Sequence, residues 1–183
     1  MSTPTMQSLH LTLLNNGLIP ANQTSIEAFF NETMHPLWFE FYGRRKKQQR
    51  RGFYNSCGFE HVFVGELRGK KVIGFHNWLQ MLLQEESNSL TYTGNRGVQQ
   101  QPAIVASVCF NWFNRKKDFS TIMLGVEPEF ELALYTATHL LKANGASKLT
   151  LDASRRWRLE VQNFENDFAL NHVHAAYLYR LKD

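Results

Sequence analysis

An alternation of residue types that begins at Phe59 constrains the fold more than any other feature of this 183-residue chain. Residues 59–66 read FEHVFVGE, in which aromatic residues and a histidine occupy most of one set of alternate positions, and carboxylates and valines occupy all of the other. A period of two predicts a β-strand, because successive side chains of a strand point to opposite faces of the sheet. Residues 67–70 predict a turn and residues 71–76 a second strand, so a β-hairpin is predicted over residues 59–76.

The predicted hairpin places two histidines opposite each other. With Arg68 and Gly69 at the centre of the turn, His61 pairs with His76. The Cβ atoms of directly opposed strand residues lie about 5 Å apart, so both rings would flank one group bound between them. Imidazole titrates at about pH 6.5, which lets one ring act as base and the other as acid at neutral pH. The alternative interpretation is that each ring is half-buried and bonded to backbone carbonyls.

Helices and further strands are predicted on both sides of the hairpin. Two helices precede it, over residues 6–19 and 26–41, the second with a kink or break at Pro36. A short amphipathic helix follows over residues 77–83. The second half of the chain predicts a helix over residues 129–143, strands over 104–112, 119–124, 147–152 and 173–181, and a turn at 114–118.

Both halves combine helices with antiparallel strands, which predicts an α+β fold. We expect two lobes, each with helices packed on an antiparallel β-sheet, and an active site in the groove between them. The first lobe, with the N-terminal helices, covers residues 1–84, and the second covers residues 104–183. The polar residues 85–103 are interpreted as a linker within one domain that spans residues 1–183.

The charged residues and the cysteines indicate what kind of surface and core this chain has. The chain carries 20 Lys and Arg against 16 Asp and Glu, and six of the basic residues lie within residues 44–51. One concentrated positive loop is therefore predicted rather than a generally basic surface. The two cysteines, Cys57 and Cys109, are too few for a disulfide framework and are interpreted as reduced, buried thiols.

No feature of the sequence predicts a transmembrane segment or a signal peptide. No apolar run approaches the roughly 18 residues that cross a bilayer, and the N-terminus does not join basic residues to an apolar stretch of signal-peptide length. The chain is therefore predicted to be intracellular, either cytoplasmic or nuclear. A protein whose signal peptide had been removed would show the same sequence.

The candidate partners of the two histidines are a lysine and two glutamates. Phosphoryl chemistry needs a cation where negative charge develops, and either Lys116 or Lys117 can supply it unless both are ordinary solvent-facing charges. Glu60 and Glu66 lie near His61 in sequence, but strand alternation puts both carboxylates on the face opposite that ring. They are interpreted as supports rather than as part of a His-centred metal site, and no Cys and His spacing predicts zinc.

Further motifs follow the histidines in a fixed order. They are Gly74-Phe75-His76-Asn77-Trp78, Phe110-Asn111-Trp112, Gly125 with Pro128-Glu129-Phe130-Glu131, Leu134-Tyr135, and Ala176-Tyr177. Together with residues 59–66 they resemble the poly(U)-specific endoribonuclease family, also called EndoU or XendoU-like, over at least residues 57–180. The resemblance implies a catalytic domain that cleaves single-stranded RNA on the 3′ side of uridylates through the ribose 2′-OH. It also implies 2′,3′-cyclic phosphate ends and stimulation by Mn²⁺.

Carried over by position, the resemblance makes His61, His76 and Lys117 the catalytic residues. Lys117 is preferred to Lys116 because it falls seven residues after Phe110, which is the spacing of the family. By the same resemblance, His76 takes the proton from the 2′-OH and His61 protonates the departing 5′-oxygen, while Lys117 stabilises the phosphorane. The reversed assignment of the two histidines stays open.

The resemblance also implies residues for the base and for the metal. Base choice in the family relies on a hydroxyl residue four positions after the lysine and on a late tyrosine, which are Thr121 and Tyr177 here. Thr121 keeps the hydroxyl of the more usual serine and adds a methyl group, and Tyr177 can instead be a core aromatic. Glu60 and Glu66 can hold Mn²⁺ or pair with nearby basic residues.

The basic run is not typical of the family at this place, and three interpretations of it stay open. It binds the RNA backbone, it is a solvated loop, or it is a nuclear-import signal. Its basic members are Arg44, Arg45, Lys46, Lys47, Arg50 and Arg51. The expected partner is single-stranded RNA that contains U, with no membrane and with a monomer favoured. The alternatives to cleavage are a non-cleaving RNA-binding module of the same fold and a phosphodiesterase for another nucleotide substrate.

Overall fold

A computed structural model describes residues 3–44, 46–49, 51–99, 104–141, 147–150, 157–164 and 172–180. Its helices are α1 Pro4–Asn15, α2 Ile26–Phe29, α3 His35–Trp38, α4 Lys46–Gln49, α5 Trp78–Glu86 and α6 Pro128–Leu140, with π-helical segments at Phe30–Met34 and Glu60–Val64. Its strands are β1 Glu66–Arg68, β2 Lys71–Ile73, β3 Leu90–Gln99, β4 Ile104–Trp112, β5 Arg115–Leu124, β6 Ser147–Thr150, β7 Trp157–Phe164 and β8 His172–Arg180. Within these ranges no helix is both long enough and apolar enough to span a bilayer.

The strands form two sheets. The larger sheet has the order β1-β2-β5-β4-β3, and the smaller has the order β6-β7-β8. Neighbouring strands are antiparallel except β2 and β5, which run parallel at the pair Lys71 and Lys116. Helices pack on both sheets, and the α+β class predicted from the sequence is confirmed.

The larger hydrophobic core lies between the N-terminal helices, α6 and the smaller sheet. Phe29, Trp38 and Leu159 are fully buried there, as is Val173 on β8. The Trp38 indole donates to the Thr136 hydroxyl on α6 at 2.9 Å. The predicted helix over residues 26–41 is therefore largely correct. It continues from α2 into the π-helical segment Phe30–Met34 and then into α3, which contains Pro36.

A smaller core lies under α5 on one face of the larger sheet. Phe75 and Phe110 are fully buried with ring centroids 4.8 Å apart, and Trp112 packs edge-on against Phe75 at 4.9 Å. The Trp112 indole donates to Gln84 on α5 at 2.9 Å. Because Phe75 directly precedes His76, this core fixes the backbone at one of the two candidate histidines.

The predicted strand over residues 59–66 is wrong. Residues 60–64 form a π-helical turn that the Gly65 N–H closes on the Glu60 carbonyl at 2.8 Å. The segment carries two apolar patterns, and the helical one prevails because it buries Phe59 and Phe63 against the helices. The Phe59 ring lies 5.0 Å from that of Phe39, and the Phe63 ring lies 5.8 Å from that of Trp38.

The hairpin is consequently shorter than predicted, and its turn is shifted by one residue. Glu66 pairs with Ile73 and Arg68 with Lys71, so Gly69 and the residue after it form the turn. His61 and His76 are not a cross-strand pair.

Backbone hydrogen bonds join the two histidine segments instead. The Phe75 N–H donates to the His61 carbonyl at 2.9 Å, and the His76 N–H donates to the Val62 carbonyl at 2.7 Å. The approach is close at Gly74, where a Cβ would lie 1.9 Å from the His61 oxygen.

The predicted linker over residues 85–103 is also wrong where the structure describes it. Residues 78–86 complete α5, and β3 then pairs with β4 along its length. β3 is an edge strand whose polar side chains face solvent, so the hydropathy pattern of these residues does not predict a strand. The predicted turn at 114–118 is likewise mostly strand, because β5 begins at Arg115. β1 and β2 from the predicted first lobe thus share a sheet with β3, β4 and β5.

A glycine substitution tests the close approach of the two histidine segments. Gly69 and Gly74 both have positive φ, 58° and 63°, but only Gly74 has atoms within 4 Å of an added Cβ. We expect Gly69→Ala to lower the free energy of unfolding by about 1–2 kcal/mol, which is the backbone term. Gly74→Ala should cost roughly 1–3 kcal/mol more because of the clash. Urea denaturation measures both, and equal losses would contradict the packing described here.

Candidate active site

Glu66 anchors His61 from the start of β1. His61 is buried, and its Nδ1 lies 2.7 Å from Glu66 Oε1. The sequence placed this carboxylate on the face opposite the ring. That prediction is wrong because residues 60–64 turn as a helix, which swings His61 back towards β1.

Arg44 binds the same carboxylate from the other side. Its Nε lies 3.0 Å from Glu66 Oε1 and donates to the Ser56 hydroxyl at 2.6 Å, while Ser56 donates to Glu66 at 2.9 Å. Its Nη1 donates to the His174 carbonyl on β8 at 2.7 Å. Arg44 is 6% exposed, so the prediction that it lies in a solvated, RNA-contacting run is wrong. Its charge compensates a buried carboxylate instead.

His76 is held by β5. Its Nδ1 lies 3.1 Å from the Thr121 carbonyl and 3.2 Å from the Ser120 hydroxyl. The Ser120 hydroxyl itself donates to the Phe75 carbonyl at 2.5 Å. The His76 ring stacks on the Tyr177 ring of β8, with centroids 5.6 Å apart and planes 25° from parallel.

Both histidines are neutral at pH 7. Burial lowers the pKa of His61 to about 4 against the opposing effect of the Glu66 bond. Burial, followed by the charges of Lys117 and His61, lowers the pKa of His76 to about 3. In each ring Nδ1 faces an acceptor, a carboxylate or a carbonyl, so these partners assign the proton to Nδ1 and the lone pair to Nε2.

A β-bulge in β5 orients Lys117. Phe110 pairs with Lys117 and Val108 with Ser120, so two residues of β5 stand opposite the single residue Cys109. Directly paired residues point to the same face, so Lys117 and Ser120 share the face of Phe110 and Val108.

Lys117 and Lys116 have different surroundings. Burial lowers the pKa of Lys117 to about 8, and its positive charge lowers the pKa values of both His61 and His76. Lys116 is exposed and pairs with Asp118 at 2.7 Å. The structure therefore brings Lys117, and not Lys116, within electrostatic reach of both rings.

The bulge separates Thr121 from Lys117. Thr121 lies on the opposite face of β5, fully buried, and its hydroxyl donates to the Leu178 carbonyl of β8. The hydroxyl that lies 3.2 Å from His76 Nδ1 belongs to Ser120, which the sequence did not indicate. Strict alternation along β5 would have placed Lys117 and Thr121 together, and only a recognised bulge could have indicated Ser120.

Tyr177 lies at the site and is only half-buried. Its ring covers His76, and its hydroxyl lies 3.0 Å from Gln162 Nε2 and 3.3 Å from Glu160 Oε1 on β7. The sequence left open whether Tyr177 is a core aromatic. The structure places its ring against a candidate histidine, with its hydroxyl held by β7.

A polar cleft of about 430 Å³ lies beside Glu66. Its lining is Gln48, Asn55, Glu60, Gly65, Glu66, Leu67, Arg68 and Gly69. Gln48 Oε1 and Glu60 Oε2 are buried, and neither has a hydrogen-bond partner among the described residues. Burial, and then the charge of Glu66, raises the pKa of Glu60. The cleft is therefore lined by two residues whose buried oxygens accept no hydrogen bond from the described residues.

The remaining members of the basic run differ from Arg44. Lys47 and Arg51 are exposed and Lys46 lies in α4, whereas Arg45 and Arg50 fall outside the described residues. Both cysteines are free thiols, Cys57 buried and Cys109 half-buried.

Glu131 is a further residue that the sequence did not assign to the site. It is 1% exposed, and its Oε2 accepts from Asn77 Nδ2 at 2.8 Å. Burial raises the pKa of Glu131 to about 8, so the side chain is mostly a neutral acid at pH 7. Asn77 also caps α5 through Gln80 N at 3.0 Å. Glu131 therefore ties the residue after His76 to α6.

Comparison with known proteins places the chain in one family. Residues 1–178 match the family model Endoribonuclease XendoU. The chain is 37% identical over 158 residues to uridylate-specific endoribonuclease B of Danio rerio, which is 83% of this chain and 53% of that protein. It is 36% identical over 155 residues to the poly(U)-specific endoribonuclease of Xenopus tropicalis, which is 81% of this chain and 48% of that protein.

A solved structure has the same fold. XendoU, described as a splicing independent snoRNA processing endoribonuclease, matches with a TM-score of 0.75 at 29% identity, over 99% of this chain and 65% of that one. The chain spans about half the length of the curated relatives it matches. The family match over nearly all of its residues shows that this chain belongs to the XendoU endoribonuclease family.

Proposed function

We propose that this chain cleaves single-stranded RNA at uridylates by attack of the ribose 2′-OH on the adjacent phosphate, leaving a 2′,3′-cyclic phosphate. One observation carries the proposal: backbone hydrogen bonds join the His61 and His76 segments, and the charge of Lys117 adds to burial in lowering the pKa of both rings. The relatives named for uridylate- or poly(U)-specific cleavage support the choice of substrate.

His76 serves as the general base in this proposal. Its Nδ1 proton faces the Thr121 carbonyl, so the Nε2 lone pair is the basic atom. Burial, and then the neighbouring charge of Lys117, keeps the ring neutral until substrate binds. The phosphate of bound RNA is an anion and raises the pKa of a nearby imidazole, which prepares it to accept a proton.

His61 serves as the general acid. Its partner is the Glu66 carboxylate, which favours the imidazolium, whereas the partner of His76 is an uncharged carbonyl. When phosphate binds beside both rings, His61 is therefore the ring that gains a proton more readily. This difference supports the assignment of His76 as base and His61 as acid.

The proposed step conserves atoms and protons. The 2′-oxygen bonds to phosphorus as its proton moves to His76 Nε2, and the bond from phosphorus to the 5′-oxygen breaks as His61 Nε2–H protonates that oxygen. Lys117 stabilises the charge that develops on the phosphorane oxygens. No water is consumed, so the product of this step is the cyclic phosphate.

Binding of the base beside the cut is proposed to depend on Tyr177. Stacking of a base on an aromatic ring is worth about 1–3 kcal/mol, and the Tyr177 ring already lies against His76. The Thr121 hydroxyl is bonded to the Leu178 carbonyl, next to Tyr177. We therefore assign Thr121 a role in holding β5 against β8 so that Tyr177 stays beside the base.

Mn²⁺ is proposed to bind in the polar cleft. The unpartnered oxygens of Gln48 and Glu60, beside the Glu66 carboxylate, are hard donors of the kind that Mn²⁺ accepts. Within the described residues no group of three or more His, Cys, Asp or Glu side chains could hold a metal ion, so the amides are needed. Bound there, Mn²⁺ would supply positive charge beside Glu66, the partner of His61.

A DNA oligonucleotide with one ribonucleotide tests the reaction. We expect cleavage when that nucleotide is uridine, little cleavage for the other three bases, and none for deoxyuridine, with the cyclic phosphate detected by mass spectrometry. His61→Ala and His76→Ala should each lower kcat/KM by about 10²–10⁴, and Lys117→Ala by about 10²–10³.

Lys116→Ala is the matched control, and its activity should equal that of the unmodified protein. Cleavage of the deoxyuridine strand would exclude transesterification. Binding without cleavage of any strand would favour the non-cleaving module instead.

Calorimetric titration tests the metal site without an activity measurement. We expect Mn²⁺ binding that Glu60→Gln weakens by roughly tenfold or more, because a ligand charge is lost. Gln48→Ala should weaken it less, and the exposed α5 residue changed in Glu86→Gln should leave it unchanged. Equal affinities for the Glu60 and Glu86 variants would exclude the cleft.

A further inference from the structure

The loop over residues 43–55 begins and ends at the His61 network. A bridge closes it, in which the Tyr42 N–H donates to the Ser56 carbonyl at 2.8 Å. Ser56 in turn donates to Glu66, the partner of His61. The loop contains the basic run, whose function the catalytic residues leave unexplained.

A tight turn inside this loop brings a cation and an aromatic ring together. The Gln48 carbonyl accepts from the Arg51 N–H at 3.1 Å and from the Phe53 N–H at 3.0 Å. Gly52 lies between them with φ +69°, a conformation that glycine adopts without strain. The turn therefore holds Arg51 and Phe53 close to the end of α4.

The same loop exposes large aromatic surface. Phe53 is 60% exposed and Tyr54 52% exposed, while Lys47 and Arg51 are also exposed. Exposed rings interleaved with cations are typical of surfaces that bind single-stranded nucleic acid, since bases stack on the rings and phosphates pair with the cations. An isolated exposed ring is ordinary, but two consecutive rings beside two cations are not.

The polar cleft lies between this loop and the partner of His61. It is lined by Gln48 and Asn55 of the loop together with Arg68 of β1 and Glu66, whose carboxylate lies 2.7 Å from His61 Nδ1. A strand that leaves the site past His61 would run through this cleft and reach the aromatic pair.

We propose that Lys47, Arg51, Phe53 and Tyr54 bind the RNA segment on the 3′ side of the cut. The inference rests on the proposed function. Its direction follows from His61, which protonates the 5′-oxygen of the leaving segment, so that segment departs on the side of His61 and its loop. The rings stack on downstream bases, and the two cations contact downstream phosphates.

Substrates of three lengths test the inference at fixed Mn²⁺. They are the dinucleotide UpA, UpA extended by four nucleotides at its 3′ end, and UpA extended by four at its 5′ end. Phe53→Ala/Tyr54→Ala should raise KM for the 3′-extended substrate by about tenfold or more and leave the other two unchanged. Phe53→Trp/Tyr54→Trp should restore KM.

Salt dependence tests the two cations. Lys47→Ala/Arg51→Ala should lower the slope of log KM against log salt by about 1.4 for the 3′-extended substrate, at roughly 0.7 per phosphate contact. The matched controls are Phe113→Ala, a ring 50% exposed in the turn between β4 and β5, and Arg96→Ala/Lys116→Ala. Neither control should change KM for that substrate.

An unchanged KM for the 3′-extended substrate in Phe53→Ala/Tyr54→Ala would overturn the inference, as would an effect confined to the 5′ extension. Failure of the proposed function is seen separately, as absence of UpA cleavage by the unmodified protein. In that case fluorescence anisotropy with non-cleavable 2′-deoxyuridine strands decides the inference. Weaker binding by the alanine variant, specific to the 3′ extension, supports it, and equal binding overturns it.

Discussion

One carboxylate oxygen joins the parts of the molecule that form the site. Glu66 Oε1 lies 2.7 Å from His61 Nδ1, accepts from Ser56 at 2.9 Å and lies 3.0 Å from Arg44 Nε. Arg44 then reaches β8 through the His174 carbonyl. The π-helical turn, the basic loop and the smaller sheet all meet at this ion pair. A buried carboxylate needs such compensation, because burying it unpaired would cost several kcal/mol.

The second histidine is held by different chemistry, and the difference gives the two rings different roles. His76 bonds to a backbone carbonyl and lies in the field of Lys117, which a bulge in β5 orients towards it. Burial lowers the pKa of both rings; the Glu66 carboxylate opposes this effect at His61, whereas the charge of Lys117 adds to it at His76. The fold therefore makes two identical side chains unequal before any substrate binds.

Much of the fold could be predicted from the sequence. The strand over 104–112 and the helices near residues 77–83 and 129–143 follow from periodicity and end signals, and they appear as β4, α5 and α6. The segment 59–66 could not, because it carries a period of two and a helical pattern at once, and only packing against the N-terminal helices decides between them. The polar residues of edge strand β3 predicted a linker instead of a strand.

The site could be predicted only in its residue identities. Motifs indicated His61, His76 and Lys117, and the structure brings them together. The burial of Arg44 depends on a carboxylate that is distant in sequence. The Ser120 hydroxyl, rather than that of Thr121, lies beside His76 because of a bulge in β5. Neither leaves a local signal, because long-range ion pairs and bulges are set by the packing of whole elements.

The roles of the two histidines are the central claim, and a substrate with sulfur in place of the 5′-bridging oxygen tests them most directly. A thiolate leaves without a proton because the pKa of a thiol is far below that of an alcohol. His61→Ala is expected to cleave the thio substrate at nearly the rate of the unmodified protein, while His76→Ala remains inactive on it. Rescue of His76→Ala, with His61→Ala still inactive, would contradict the assignment.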